Sequence, residues 1–504
     1  MEEKEVNWVT FGDLSFAIET DNPGEFIGHG YIFKTREIVI SHLMKDPEFY
    51  RQGWNSWSPT GWRKLTEKPL KIYDNPLRLL TADDVENFLP GQHSGSYVGA
   101  LTDLKNNCLL LGSLSISSGV VSADTKCLKG IQNSEDSVWF LSYGDELEVF
   151  SHYSNLLIEK FGQNTLKAGN VWSSWYTFFE DINATDLKIT INELKDLEID
   201  VIQIDDGWQK NIGDWSANEK FPEGMEEIAK YIKSKNKKAG LWVAPLICLA
   251  ESEIAQKHPE WLLKDIDGNP VTAGYNWSTT YFTFDTTIKD FQNYLFNLFK
   301  QFKEWGFDYF KLDFMYAGAL SGVRSNNLDR ETAYRDILKV IREAVTPESY
   351  LLGSGVLILP SMGIFNGVRV GPDTAPYWDN TERKNDPSGP GAWNAICNSL
   401  NRYWLKNIYE ADPDAVFFRS KQNLLDEKSK MLLQTVAQIL GFKSFSDPIN
   451  WLDKAELQDL NDFLKSECNV KQLKRHVFQV DEKIVDFTEI INPTKRVSDF
   501  ILLK

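Results

Sequence analysis

The sequence predicts an α/β protein: a central (β/α)8 barrel with an N-terminal antiparallel β-sandwich and a small C-terminal β domain. Three observations predict this fold. Short alternating runs fill the first third of the chain, eight apolar runs then alternate with helical segments, and strand-like alternation returns near the end. We place the domains at residues 1–163, 164–467 and 468–504.

The N-terminal region, residues 8–161, has the pattern of a β-sandwich. Runs such as YIFKTREIVI (31–40), CLLLGSLSI (108–116) and SVWFLSYGDELEVF (137–150) alternate apolar and polar residues and are separated by Gly, Asn, Asp and Ser. No amphipathic helix is expected among them. The polar segment GQNTLKAGN (162–170) is the predicted boundary with the barrel.

From residue 171 onward, apolar runs alternate with segments whose apolar residues recur three and four apart. The predicted strands are VWSSWYTFF (171–179), DVIQIDDGW (200–208), AGLWVAPL (239–246), FDYFKLDFM (307–315), YLLGSG (350–355), GVRVGPD (367–373), AVFF (415–418) and GFKSFSD (441–447). A doubly wound sheet is the alternative, but the glycine-rich phosphate turn expected after its first strand is missing. Eight repeats therefore favour a (β/α)8 barrel.

The end of the chain returns to strands. After a predicted helix at DKAELQDLNDFLKS (453–466), the runs HVFQV (476–480), IVDFTEI (484–490) and DFILL (499–503) alternate in the manner of strands. They predict the small C-terminal β domain.

Composition excludes several classes of partner. The 504 residues carry a net charge of −18, so nucleic acid and anionic membranes are poor partners. Five cysteines without a CxxC pair indicate a reducing compartment. The first ten residues carry charge where a signal peptide would be apolar, and no apolar stretch of about 18 residues predicts a membrane helix. We therefore expect a cytoplasmic protein; its oligomeric state stays open.

Metal and cofactor chemistry has no sequence support. None of the six histidines falls in an HxH or HExxH motif, so no metal site is predicted. A serine hydrolase of the GxSxG type is also excluded. We expect no cofactor.

The ends of the predicted strands, where barrels of this kind place their active sites, carry acidic residues. Asp313 ends the fourth strand, and Lys311 lies on the same side because side chains alternate along a strand. The lysine charge favours the ionised form of Asp313 that a nucleophile needs. A purely structural ion pair is the alternative interpretation.

A second carboxylate follows the sixth strand. Asp373 comes after Gly371 and Pro372, with Arg369 four residues earlier. It could serve as a general acid, although an aspartate after Gly-Pro is also common in turns. Two carboxylates across a barrel mouth are the minimum for glycoside cleavage, since one attacks or activates water and the other protonates the leaving oxygen.

Further residues suit a sugar. The adjacent acids Asp205 and Asp206 repel each other and would accept hydrogen bonds from hydroxyl groups, unless they only form a turn with Gly207. Trp175 and Trp242 could stack on the apolar face of a sugar ring, although tryptophans are more often core residues.

These motifs resemble those of a known family. WSSWY (172–176), QIDDGW (203–208), GLWVAP (240–245), YFKLDFMYAGAL (309–320) and RVGPDTAPYW (369–378) are similar to the α-galactosidases of glycoside hydrolase family 36, of the compact bacterial type. The resemblance covers nearly the whole chain.

The resemblance implies a retaining double displacement on small galactosides such as melibiose or raffinose. Asp313 would be the nucleophile and Asp373 the acid and base. Lys311 would bind ring hydroxyls, and Asp205 and Asp206 would bind the 4- and 6-hydroxyls. Arg369 would contact the 2-hydroxyl side and orient Asp373. Trp175 and Trp242 would line the ring. GWNSWSP (53–59) resembles a loop over the site, which makes Trp57 a wall of the pocket.

One position departs from the family pattern. Members often carry Cys where this chain has Ser354, at a strand end that lines the 2-position of the sugar. An α-N-acetylgalactosaminidase therefore stays open as a second interpretation. A raffinose-synthase-like galactosyl transferase stays open as well and so, from a different class, does a non-catalytic galactose-binding protein.

Overall fold

The computed structural model describes residues 5–70, 80–103, 107–134, 136–379 and 388–492. The protein has an α/β fold in which antiparallel sheets precede and follow an eight-stranded parallel sheet. The parallel sheet positions the candidate site, and the loops that leave its strands carry most of the residues around that site.

Two antiparallel sheets form the N-terminal part. Their strands are β1 (Glu5–Phe11), β2 (Leu14–Thr20), β3 (Glu25–Phe26), β4 (Tyr31–Phe33), β5 (Glu37–Ser41), β6 (Glu48–Arg51), β7 (Gly61–Lys64), β8 (His93–Ser96), β9 (Val98–Thr102), β10 (Asn107–Ser113), β11 (Gly119–Ala123), β12 (Cys127–Gln132) and β13 (Trp139–Asp145). The sheet orders are β1-β2-β5-β12-β11-β8 and β3-β4-β13-β10-β9-β6-β7. Strand β12 buries every second residue, as alternation predicts.

A helix follows these strands where none was expected. Helix α1 (Glu146–Phe161) begins after Asp145, whose side chain accepts hydrogen bonds from the backbone N–H groups of Leu147 and Glu148. Its buried residues include Val149 and Tyr153, four apart on one face. The prediction of no amphipathic helix in this region is therefore wrong. The alternating run before the helix hid the change of period at Asp145.

The middle of the chain alternates strands and helices. The elements are β14 (Val171–Ser173), α2 (Trp175–Phe178), α3 (Ala184–Leu194), β15 (Val201–Ile204), β16 (Gln209–Asn211), β17 (Asp214–Ala217), α4 (Met225–Lys233), β18 (Lys238–Val243), β19 (Ile247–Leu249), α5 (Glu253–Lys257), β20 (Thr272–Asn276), β21 (Thr279–Thr283), α6 (Lys289–Trp305), β22 (Tyr309–Leu312), α7 (Arg330–Val345), β23 (Tyr350–Gly353), β24 (Gly367–Arg369), α8 (Ala392–Asn401), β25 (Glu410–Asp412), α9 (Glu427–Leu440), β26 (Ser444–Phe445) and α10 (Lys454–Lys465). Short 3₁₀ helices lie at Phe179–Asp181, Pro259–Trp261, Met315–Ala319, Tyr403–Asn407 and Ile449–Trp451.

The parallel sheet has the order β25-β24-β23-β22-β18-β15-β14-β26. All residues of β15, β22 and β23 are buried, which explains why these strands are continuous apolar runs. Beyond β25, Val416 and Phe445 form a parallel bridge, and the Val416 N–H donates to the Ser444 carbonyl at 2.8 Å. This bridge joins the two ends of the strand order.

The seventh parallel strand lies earlier than its sequence pattern predicted. The apolar run 415–418 was expected to form it, whereas β25 ends at Asp412 and only Val416 of that run pairs. Asp412 is buried, and its Oδ2 lies 3.1 Å from Nε of Arg369. A charged residue with a buried partner breaks the apolar pattern by which strands are recognised.

The C-terminal part is a three-stranded antiparallel sheet. Its elements are β27 (Val470–Lys474), β28 (Val477–Val480), β29 (Lys483–Asp486) and helix α11 (Thr488–Ile491). The predicted run 484–490 is thus part strand and part helix, and the predicted run 499–503 lies outside the described residues. Within the described ranges, no helix combines the length and the apolarity needed to cross a lipid bilayer.

Candidate active site

A cavity of about 270 Å³ lies at the carboxyl-terminal edge of the parallel sheet. It is lined by Trp57, Thr81, Trp175, Asp205, Asp206, Trp242, Tyr275, Asn276, Trp277, Tyr281, Lys311, Asp313, Phe314, Pro372, Asp373, Ser388 and Pro390. The structure therefore brings together eight of the ten residues selected from the sequence. The other two, Ser354 and Arg369, lie directly behind the wall.

Asp313 immediately follows β22, and its two oxygens have different donors. The indole N–H of Trp242 donates to Oδ2 at 2.9 Å, and the backbone N–H of Phe314 donates to Oδ1 at 3.0 Å. Phe314 has a positive φ of 55°, which turns the chain sharply after the strand. These contacts fix the direction of the Asp313 carboxylate at the cavity wall.

Lys311 joins two acids from neighbouring parts of the sheet. Its Nζ lies 2.9 Å from Oδ2 of Asp205 and 3.9 Å from Oδ2 of Asp313. Although burial opposes the charged form, these two acids raise the pKa of Lys311 above its ordinary value. Gln203 also donates to Asp205 Oδ2, at 2.6 Å. Asp205 therefore has a cation and a neutral donor on the same oxygen.

Asp206 directly follows Asp205 but has neutral donors. Nε2 of Gln209 donates to Oδ1 at 2.6 Å, and Nε1 of Trp277 donates to Oδ2 at 2.9 Å. Burial raises the pKa of Asp206 to about 6, and these two hydrogen bonds oppose the rise. The carboxylate keeps lone pairs free to accept hydrogen bonds from a ligand.

Asp373 forms an ion pair with a guanidinium that also contacts two other acids. Nη1 of Arg369 lies 2.9 Å from Oδ1 of Asp373, while its Nε and Nη2 lie 3.1 Å and 2.8 Å from Asp412 and Asp414. Burial and the charge of Asp414 raise the pKa of Asp373 to about 6, against the effect of Arg369. The side chain is enclosed by protein except where it faces the cavity.

Asp412, Asp414 and Tyr176 were not selected from the sequence. The hydroxyl of Tyr176 donates to Oδ2 of Asp414 at 2.5 Å, and the backbone N–H of Thr374 donates to the same oxygen at 2.9 Å. The sequence signal of the two acids is the acidic run EADPD (410–414), which resembles a surface loop until its burial is known.

Tryptophans form two walls of the cavity. Trp57 packs edge-on against Phe314 with ring centroids 5.2 Å apart, and its Nε1 donates to Oγ of Ser354 at 3.0 Å. Ser354 is only 1% exposed and orients Trp57 from behind. Trp175 begins helix α2 and is not part of the first strand as predicted, because that strand ends at Ser173.

The hairpin of β20 and β21 supplies four further residues of the cavity wall that were not predicted from the sequence. They are Tyr275, Asn276, Trp277 and Tyr281. Their signal was the aromatic alternation of GYNWSTTYFTF (274–284), which lies between two predicted barrel strands and matches no motif. Among the described residues, no cluster of three or more His, Cys, Asp or Glu is arranged to hold a metal ion.

Paired carboxylates and tryptophan walls at the edge of a parallel sheet are an arrangement found in glycoside hydrolases. Comparison with known proteins agrees with this class. The Melibiase family model matches residues 142–346. The structure of an α-galactosidase from Thermus thermophilus in complex with p-nitrophenyl α-D-galactopyranoside superposes with a TM-score of 0.91. That match has 36% identity and covers 96% of this chain and 100% of the other.

More distant relatives match in part. The α-galactosidase AgaA from Geobacillus stearothermophilus, of family GH36, has a similar fold with a TM-score of 0.60 at 15% identity, over 89% of this chain and 65% of that one. Alpha-galactosidase 1 of Pediococcus pentosaceus is 32% identical over 102 residues, or 19% of this chain. The match spans 14% of the length of that curated relative. The chain belongs to the α-galactosidases of glycoside hydrolase family 36.

Proposed function

We propose that this protein hydrolyses terminal α-D-galactosyl groups of small galactosides, such as melibiose or raffinose, with retention of configuration. The observation that carries the proposal is the unequal pair of carboxylates in one cavity. Asp313 is fixed by two hydrogen-bond donors, and Asp373 has a pKa raised to about 6. One suits a nucleophile and the other an acid.

In the proposed first step, an oxygen of Asp313 attacks the anomeric carbon and the bond from that carbon to the leaving oxygen breaks. Asp373 gives its proton to the leaving oxygen, so a neutral alcohol departs. Water then attacks the galactosyl-enzyme ester, Asp373 takes a proton from that water, and Asp313 leaves as a carboxylate. Galactose is released with its original anomeric configuration.

The remaining residues would bind the sugar. Lys311, Asp205 and Asp206 carry the charges and lone pairs that ring hydroxyls need, and Trp57, Trp175 and Trp242 offer apolar ring faces. Arg369 would act through Asp373, which it contacts at 2.9 Å. Ser354 would act through Trp57. These roles require no metal or cofactor.

We further propose that the eight-stranded sheet is a closed (β/α)8 barrel. The bridge between Val416 and Phe445 supports closure, since it joins the ends of the strand order. The proposed domains are residues 1–163, 164–467 and 468–504, although α1 lies within the first of them. A cytoplasmic location is proposed from the unpaired cysteines, which suit a reducing compartment.

The test is a panel of p-nitrophenyl α-glycosides on one enzyme preparation: galactoside, N-acetylgalactosaminide and glucoside. The proposal expects turnover of the galactoside to exceed that of the N-acetylgalactosaminide and the glucoside by a large factor. Faster turnover of the N-acetylgalactosaminide would instead indicate an α-N-acetylgalactosaminidase. Galactose binding without any product would indicate a binding protein, and oligosaccharide products at high acceptor concentration would indicate a transferase.

A further inference from the structure

The hairpin after β18 has a strained turn at the cavity. Strands β20 and β21 pair with Asn276 opposite Thr279, so the turn consists only of Trp277 and Ser278. Both have positive φ, of 48° and 61°. Two-residue turns of this kind favour Gly and Asn, and other residues are strained in this conformation. Such strain persists only where surrounding contacts impose it.

The base of the hairpin provides those contacts. Strand β21 pairs on its other side with β19, which gives a three-stranded sheet of order β19-β21-β20. The hydroxyls of Tyr281 and Tyr316 lie 2.8 Å apart, and Tyr316 also donates to the Ala273 carbonyl at 2.6 Å. Both tyrosines are fully buried. The turn is therefore held from below by buried hydrogen bonds.

The strained turn directs the indole of Trp277 to an acid of the cavity. Its Nε1 donates to Oδ2 of Asp206 at 2.9 Å. Its ring packs against Phe314 and Tyr281, with centroid distances of 5.3 Å and 5.7 Å. The indole is thus fixed by polar and apolar contacts at once, as expected of a rigid wall.

This wall lies on the side of the cavity away from Asp373. Asp206 follows β15, and Asp373 lies just beyond β24; strands β18, β22 and β23 separate these two in the sheet. In the closed eight-stranded barrel proposed above, positions separated by three strands lie on opposite sides of the mouth. The hairpin leaves β18, the neighbour of β15. The leaving group of a glycoside must lie beside its general acid, so the side with Trp277 receives the part of the sugar farthest from the anomeric carbon.

We infer that Trp277 is a specificity determinant that closes the Asp206 end of the cavity to sugars substituted at the 4- or 6-oxygen. A substituent there removes the hydroxyl hydrogen that Asp206 would accept and adds bulk against the indole. This inference rests on the proposed function and deepens it. It gives a physical reason for selecting a terminal, unsubstituted galactosyl group.

The experiment compares kcat/KM for p-nitrophenyl α-galactoside with kcat/KM for its 4-O-methyl and 6-O-methyl derivatives. The wild type should disfavour at least one derivative by about 100-fold or more, as expected when a buried polar group loses its partner. Trp277→Ala should reduce that ratio at least about tenfold, because the wall opens. Trp277→Phe keeps most of the bulk, so the ratio should persist while KM for the parent rises. Trp8→Ala, at an exposed tryptophan of β1, is the matched control and should change neither value.

Equal losses on all three substrates in Trp277→Ala, at unchanged thermal stability, would overturn the inference and leave Trp277 a structural residue. If Trp277→Ala does not fold, Trp277→Leu provides a smaller opening with the same expected direction. A wild type that turns over no galactoside would contradict the proposed function instead. Calorimetry would then measure the affinities of wild type and variant for galactose and for 6-O-methylgalactose. The ratio of the two affinities should be large in the wild type and at least about tenfold smaller in Trp277→Ala.

Discussion

The two ends of the cavity each hold a carboxyl whose pKa burial raises to about 6, but the two carboxyls have different partners. Asp373 lies among charges, since Arg369 contacts it together with Asp412 and Asp414. Asp206 has no cation among its hydrogen-bond partners within the described residues, and its donors are the neutral side chains of Gln209 and Trp277. A buried carboxyl can thus reach a similar pKa with charged neighbours, whose effects oppose each other, or with neutral donors.

This difference has a consequence for function. The pKa of a carboxyl surrounded by charged groups changes strongly when one of those charges is removed. The pKa of a carboxyl with neutral donors changes instead with burial and hydrogen bonding. The pKa of the proposed proton donor and the pKa of the proposed hydroxyl acceptor can therefore be adjusted separately within one cavity. A substitution at one end should leave the pKa of the carboxyl at the other end unchanged.

The largest effect is expected at the acid between the two ends. Asp313→Gly should lower kcat by about 10⁴-fold or more, because the proposed nucleophile is lost. Azide should restore turnover and give β-galactosyl azide, which mass spectrometry and NMR can identify. Retained activity without azide would show that Asp313 is not the nucleophile.

The two ends should respond differently to the same substitution. Asp373→Asn should lower kcat by about 10²- to 10⁴-fold, most for substrates with sugar leaving groups, because proton donation is lost. Asp206→Asn should raise KM by a factor that does not depend on the leaving group. Steady-state kinetics on melibiose and p-nitrophenyl α-galactoside distinguish them. The same leaving-group dependence in both variants would contradict the assignment of one end to chemistry and the other to recognition.

Lys311 should matter for stability as well as binding. Lys311→Met leaves Asp205 and Asp313 buried without their shared cation, which should cost about 3–5 kcal/mol of unfolding free energy. The double variant Lys311→Met with Asp205→Asn should recover part of this loss, since one of the unpaired charges is removed. Urea unfolding measures both. Equal stability of the single variant and the wild type would mean that the ion pair is not formed in solution.

The smallest expected effect is a shift in pH dependence. As the proposed acid, Asp373 must be protonated, so kcat/KM should fall as the pH rises through about 6. As a hydroxyl acceptor, Asp206 must be ionised, so kcat/KM should fall as the pH drops through about 6. Asp414→Asn removes a negative neighbour of Asp373 and should lower the pKa of Asp373. The alkaline limb of the plot of kcat/KM against pH should then lie about one pH unit lower.

A matched variant probes the acid limb. Trp277→Phe removes a hydrogen bond that lowers the pKa of Asp206, so that pKa should rise. The acid limb of the plot of kcat/KM against pH should then move to higher pH, and the alkaline limb should stay in place. Both limbs moving together in either variant would contradict the independence of the two ends.

The sequence predicted the elements whose signal is local. Apolar runs identified most strands of the parallel sheet, because those strands are buried on both faces. The seventh strand was misplaced because Asp412 is buried through a partner, Arg369, that is distant in sequence. Helix α1 was missed because an alternating strand runs directly into it.

The residues of the candidate site likewise include some that could be predicted from the sequence and some that could not. Residues at strand ends, such as Asp313 and Asp373, could be selected because a barrel places its chemistry there. Trp277 could not, since a long loop after β18 returns it to the cavity and no spacing rule predicts that path. Arg369 was selected together with Asp373, but its other two acidic partners, Asp412 and Asp414, became visible only from the distances.

The most direct test of the central claim is covalent labelling with 5-fluoro-α-D-galactosyl fluoride, followed by peptide mass spectrometry. Its activated leaving group favours formation of the galactosyl-enzyme, and its ring fluorine slows hydrolysis of that ester. The proposed mechanism expects one fluorogalactosyl group on Asp313 and none in Asp313→Gly. A label on another carboxylate, or rapid turnover through inversion without any label, would contradict it.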